Sequence, residues 1–127
     1  MKIDLSDLNE SYHASESGYA GALPSGLYKA RLINAEVTSS KNQNPQVKWI
    51  LEAETSSGEL GTTMKFSPLL PQSMRFLRVD LETLGFVLGH INDLHVILPG
   101  LVGTMIEIEV QDNISTGLHR VDFIRKI

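Results

Sequence analysis

Five basic side chains stand where a polyanion could be held. Strand-like alternation runs through 27–38, 46–54 and 59–66. With the apolar parity of each taken as the core, Lys29 and Arg31 on the first strand, Lys48 on the second and Lys65 on the third all point outward. Lys41 adds a charge in the loop that joins the first two. A basic groove that tracks phosphates is the electrostatic half of a single-stranded nucleic-acid site. A lone surface lysine usually only solubilises; agreement over three consecutive strands sets this group apart. The other half of such a site is aromatic stacking. Tyr28, Trp49 and Phe66 fall on the core parity of their strands, which reads as three core aromatics. The alternative for Trp49 is a place at the mouth of a barrel with one ring face open. Tyr12 and Tyr19 lie in an acidic N-terminal segment, free to reach elsewhere.

Catalytic and metal chemistry find less support. The histidines are His13, His90, His95 and His119. His90 and His95 are five apart, which misses the one-face spacing of a helical metal pair. There is no Gly-x-Ser-x-Gly nucleophile elbow. Gly18, Gly21 and Gly26 follow no strand and open no helix, so they form no phosphate loop. Glu107 and Glu109 share a strand face, where two outward carboxylates are ordinarily just solvated. No cysteine is present, which removes disulfides, thiolate metal sites and cysteine nucleophiles. No cofactor is implied, and the expectation is a protein that is not an enzyme.

The 127 residues suit one domain, large enough to bury a core without staples. The net charge of −4 argues against coating duplex DNA by bulk charge but allows a local basic stripe. Most of that charge is concentrated at one end. Residues 1–20 carry Asp4, Asp7, Glu10 and Glu16 against Lys2 alone. This stretch has no clear periodicity, so residues 1–22 read as an acidic arm and 23–127 as the folded domain. No apolar run approaches the roughly 20 residues that span a bilayer. The acidic start does not resemble a signal peptide. The expected location is therefore the cytoplasm.

The elements that would position the basic residues follow from periodicity. In the first strand Tyr28, Ala30 and Leu32 share one parity and Ile33, Ala35 and Val37 the other, which predicts a bulge or bend in mid-strand. Residues 39–44 form a loop ending at Pro45, and Thr55-Ser56-Ser57-Gly58 a hairpin turn. Leu60, Thr62, Met64 and Phe66 share a face of the third strand. The period then changes. Pro71 starts a helix with Met74, Leu77, Leu81 and Leu84 on one side, and Gly85 stops it. A short second helical turn capped by Asn92 or Asp93 precedes Pro99-Gly100. Alternation returns at 104–111, with Ile106, Ile108 and Val110 inward, and at 118–127, with Val121 and Phe123 inward. Three strands, a helix, then two strands, with the first strand bent, is the order of an OB-fold. The expectation is a mostly β, five-stranded Greek-key barrel with one helix between strands three and four. An open α+β sheet with one helix satisfies the same periodicity.

Several stretches resemble a family of small phage-encoded proteins long catalogued as of unknown function. These are Leu23-Pro24-Ser25-Gly26-Leu27-Tyr28-Lys29-Ala30, Ala35-Glu36-Val37, the polar loop from Ser39 to Pro45 before a Trp-bearing strand, Leu84-Gly85, and Leu98-Pro99-Gly100-Leu101-Val102-Gly103. The resemblance covers about residues 23–127. It implies an OB-fold that binds single-stranded DNA in phage replication or recombination, in the cytoplasm of a host bacterium. Phage recombinase or replication proteins would be its partners. Lys41, Lys48 and Trp49 are the positions it carries over. Many single-strand binders end in an acidic, Phe-tipped docking tail; this chain ends Phe123-Ile124-Arg125-Lys126-Ile127, which is basic. The function expected is sequence-nonspecific binding of single-stranded DNA. The alternative is an OB-like protein–protein adaptor, a virion or host-inhibitor component that binds no nucleic acid. The sequence allows a homo-oligomer and no membrane partner.

Overall fold

The computed structural model describes residues 23–113 and 118–127. The acidic arm, with Tyr12 and Tyr19, lies outside the described residues. Five strands and two short helices make up the rest: β1 (Gly26–Ser39), β2 (Pro45–Glu54), β3 (Leu60–Pro68), α1 (Met74–Thr83), α2 (Leu94–Leu101), β4 (Met105–Asn113) and β5 (Leu118–Lys126). A single 3-10 turn leads into each helix, Pro71–Ser73 before α1 and Ile91–Asp93 before α2.

All strands belong to one antiparallel sheet of order β3-β2-β1-β4-β5. The long β1 lies at its centre and serves two partners. Residues Gly26 to Arg31 pair with β4, and Ala30 to Ser39 pair with β2. The change of parity foreseen in mid-strand is a bulge between Leu32 and Asn34. It lets Ala30 and Leu32 before it, and Ala35 after it, all face the core. Just there the chain returns to β1 from α2. Gly103 N–H donates to Leu32 O at 2.7 Å, and Leu32 N–H donates to Thr104 O at 2.9 Å. Gly103 has φ of +96°, a conformation that side-chain-bearing residues rarely adopt.

The core joins the inner face of the sheet to one stripe of each helix. Val47, Trp49, Leu51, Ile106, Ile108 and Val110 come from the strands; Leu77 and Leu81 come from α1, and Leu94, Leu98 and Leu101 from α2. The second helix is longer than the sequence led us to expect, and Pro99 lies inside it. In so short a helix Pro99 forfeits a single backbone bond, and burial of three leucines offsets that loss.

Two expectations need correction. The sheet is not closed into a barrel. The edges β3 and β5 meet through side chains: Lys65 Nζ donates to Val121 O at 2.7 Å, and Thr63 Oγ1 shares a 3.0 Å hydrogen bond with His119 Nε2. A backbone ladder would draw the strands to about 4.8 Å. Here a lysine side chain, lying 5.2 Å from the Phe123 ring centroid, occupies the gap. The second correction is the phase of β3. Leu60, Met64 and Phe66 are exposed, while Gly61, Thr63 and Ser67 are buried. The hairpin explains the inversion. Thr55 N–H donates to Glu59 O, Gly58 N–H donates to Thr55 O, and Glu54 then stands opposite Leu60. Counting back from that turn places Lys65, not Phe66, opposite the inward Trp49.

Candidate nucleic-acid interface

The outer face of β1 and β2 carries three of the expected basic residues. Lys29 and Arg31 are exposed, and Lys48 is half-buried on the same side. Lys41 is exposed in the 39–44 loop, which is tied by Ser40 N–H donating to Asn44 O at 2.8 Å and Gln43 N–H donating to Ser40 O at 2.8 Å. Lys29, Arg31 and Lys48 thus share one face, and Lys41 sits in the loop that joins their strands. The face is not a pure basic stripe, because carboxylates interleave with it. Arg31 pairs with Glu52 at 3.4 Å. Lys29 stands opposite Glu107, which itself pairs with Arg125 at 3.4 Å. Lys48 stands opposite Glu36. Exposed pairs of this kind add little to stability, but each carboxylate offsets attraction for a phosphate.

Lys65 does not join this face. Its register opposite Trp49 turns it inward, and its side chain is only 15% exposed. The ammonium bonds Val121 O and sits 3.6 Å from Asp80 Oδ2, whose side chain is 13% exposed. Burial pushes the Asp80 carboxyl above its ordinary value, and the Lys65 charge and hydrogen bond oppose that push. Ser67 completes the cluster, donating to Asp80 Oδ2 at 3.5 Å and accepting from Trp49 Nε1 at 2.9 Å.

Trp49 is likewise removed from the interface. It is 0% exposed and packs edge-on to Phe123, with ring centroids 5.3 Å apart and planes at 87°. No ring face is open to a base, so the core reading of Trp49 holds and the binding reading fails. Tyr28 is half-buried against the core, with its hydroxyl donating to Pro24 O at 2.7 Å.

Of the three aromatics that parity assigned to the core, Phe66 is the one exposed to solvent. Phe66 is 50% exposed on the outer face of β3, directly opposite Lys48 and beside the exposed Met64. The signal that finds it is the hairpin count from the Thr55–Glu59 turn. Apolar pattern alone points the wrong way. At the β3 edge a cleft of about 410 Å³ opens between β3, α1 and β5, and Phe66, Phe76 and Arg120 line it. A second cleft of about 300 Å³, beside Met74, Leu77, Phe86 and Ile91, is apolar.

Among the described residues, no group of three or more His, Cys, Asp or Glu could hold a metal ion. His90 Nδ1 accepts from Asn92 N–H at the start of the turn into α2. No helix among the described residues is long and apolar enough to cross a membrane. The chain matches no protein-family model, and no curated protein matches it.

Proposed function

We propose that the chain is a sequence-nonspecific, non-enzymatic single-stranded DNA-binding protein of OB-fold type, acting in phage replication or recombination. The strand order, the bulged β1 shared between β2 and β4, the helices lying between β3 and β4, and the Lys65 and Thr63 contacts from β3 to β5 support the OB-fold reading. The DNA would cross the outer face of β1, β2 and β3. Lys29, Arg31, Lys41 and Lys48 meet its phosphates, and Phe66 stacks on a base. One observation carries the reading: a half-exposed phenylalanine opposite a lysine that makes no ion pair among the described residues, on a strand whose inward positions hold Lys65 and Ser67. A ring held in water beside a cation is what a base-stacking platform requires.

Fluorescence anisotropy with a labelled oligothymidine at low salt tests this. Three to four neutralised phosphates give a log–log salt slope of about −2 to −3. Phe66→Ala is expected to weaken binding by roughly 1–3 kcal/mol. No binding at low salt, or an affinity indifferent to salt, refutes the proposal. The interleaved Glu36, Glu52 and Glu107 favour a second reading, a protein–protein adaptor using the exposed Leu60, Met64 and Phe66. Absence of any oligonucleotide binding by the folded protein selects that reading.

A further inference from the structure

Two exposed phenylalanines from different elements line one cleft. Phe66 on β3 and Phe76 in the first turn of α1 are 50% and 58% exposed, and both line the 410 Å³ opening at the β3 edge. Each has a cation beside it. Lys48 stands opposite Phe66 in the sheet. The Arg75 guanidinium lies 4.8 Å from the Phe76 ring centroid. Neither Lys48 nor Arg75 makes an ion pair among the described residues. From β2 to α1 the order is therefore cation, ring, ring, cation. A nucleotide chain presents the complementary order of phosphate, base, base, phosphate.

Lys65, Ser67 and Asp80 form part of the cleft floor, where an ion pair and a hydrogen bond join them to one another. A base presents two apolar faces to the rings and a polar edge to the floor. The volume falls within the range of about 300–1,000 Å³ common to small-ligand sites.

We propose that this cleft is a second base-binding position. A base of the single strand enters beside Phe66 and Phe76, and Lys48 and Arg75 hold the phosphates on either side. The proposal rests on the single-strand reading given above. It makes α1 part of the binding surface, and it carries the strand off the sheet over the β3 edge.

The test uses the full chain with labelled oligothymidine at low salt, comparing wild type with Phe76→Ala and Arg75→Gln. Both positions are exposed, so thermal melts by circular dichroism should stay unchanged and isolate binding from folding. Phe76→Ala is expected to weaken affinity by roughly 5- to 150-fold. Arg75→Gln is expected to flatten the salt slope by about 0.7. Irradiation of a complex with iododeoxyuridine-substituted oligonucleotide should give a cross-link at Phe76 by peptide mass spectrometry. If wild type binds and Phe66→Ala weakens it, while Phe76→Ala and Arg75→Gln bind as wild type and no adduct reaches α1, the second position is refuted and the sheet-face reading stands. If wild type binds no oligothymidine, both fall.

Discussion

Replacing Lys65 by Met isolates the interaction that joins the two sheet edges. Methionine keeps most of the side-chain length and removes the charge. Asp80 then remains buried without its cation, and Val121 O loses its 2.7 Å donor. Removing one partner of a buried pair costs about 3–5 kcal/mol. The 3.6 Å separation and the residual 15% and 13% exposure of the two side chains place this pair at the lower end, about 3 kcal/mol. With a urea dependence of roughly 1.5 kcal/mol per molar, the midpoint should fall by roughly 2 M. The pH dependence gives the sharper test. Burial raises the folded-state pKa of Asp80 above 3.8, so the folded protein holds its proton more tightly than the unfolded chain. This group's contribution to stability is fully present below pH 3.8 and is lost as pH rises through the raised folded value. Loss of Lys65 removes what opposes that rise, and the window moves further up. The penalty for Lys65→Met should therefore be largest at neutral pH and shrink on acidification, as the stranded carboxylate takes up a proton. Adding Asp80→Asn should recover most of the loss. Urea titrations followed by circular dichroism, repeated from acid to neutral pH, read both effects. A penalty that is the same at every pH, or a double variant no more stable than the single one, refutes the assignment of a buried pair.

Other outcomes follow from the same geometry. Trp49 is the sole tryptophan, and its buried indole should emit at short wavelength and change little on adding oligonucleotide; Trp49→Ala should cost roughly 3–5 kcal/mol in chemical denaturation. Gly103→Ala places a β-carbon in open space but at φ of +96°, so backbone strain alone should lower stability by roughly 1–2 kcal/mol in the same assay. Lys29→Gln with Lys48→Gln should leave the melting temperature nearly unchanged while making the salt slope of oligonucleotide binding shallower by about 1.4.

The sequence was most informative where one pattern had no competitor. The alternation of Val47, Trp49, Leu51 and Ala53 leaves one face for β2 to bury, and those four are buried. The switch of parity after Leu32 located the bulge, because no straight strand can bury both Leu32 and Ala35. The first helix was legible from Leu77, Leu81 and Leu84 at three- and four-residue spacing. Strand β3 was misread because two signals disagreed. Leu60, Met64 and Phe66 form a more hydrophobic parity than Gly61, Thr63, Lys65 and Ser67, yet the hairpin register obeys the turn and the β2 face already committed to the core. The pairings of Arg31 with Glu52 and of Arg125 with Glu107 depend on register across strands distant in sequence, which no single-strand pattern contains. Counting outward bases therefore overstated the positive charge of the face.

The inverted β3 is also the strongest local departure from the rules that shape the rest of the domain. Burying a large apolar side chain is worth about 1.5–3 kcal/mol, and β3 leaves three of them, Leu60, Met64 and Phe66, in contact with water. A slip of one residue would bury them and release Lys65 to solvent. That slip would also separate Trp49 Nε1 from Ser67 Oγ, part Lys65 from Asp80 and break the hairpin turn. The polar network therefore locks β3 into the register that presents its apolar side outward. Folding stability gives no reason to keep Phe66 and Met64 on that side, since polar residues there would leave the inner network intact. Departures from local consistency that folding does not require concentrate at functional sites. On that argument the apolar residues of β3, more than the balanced charges beside them, direct the functional reading to this surface.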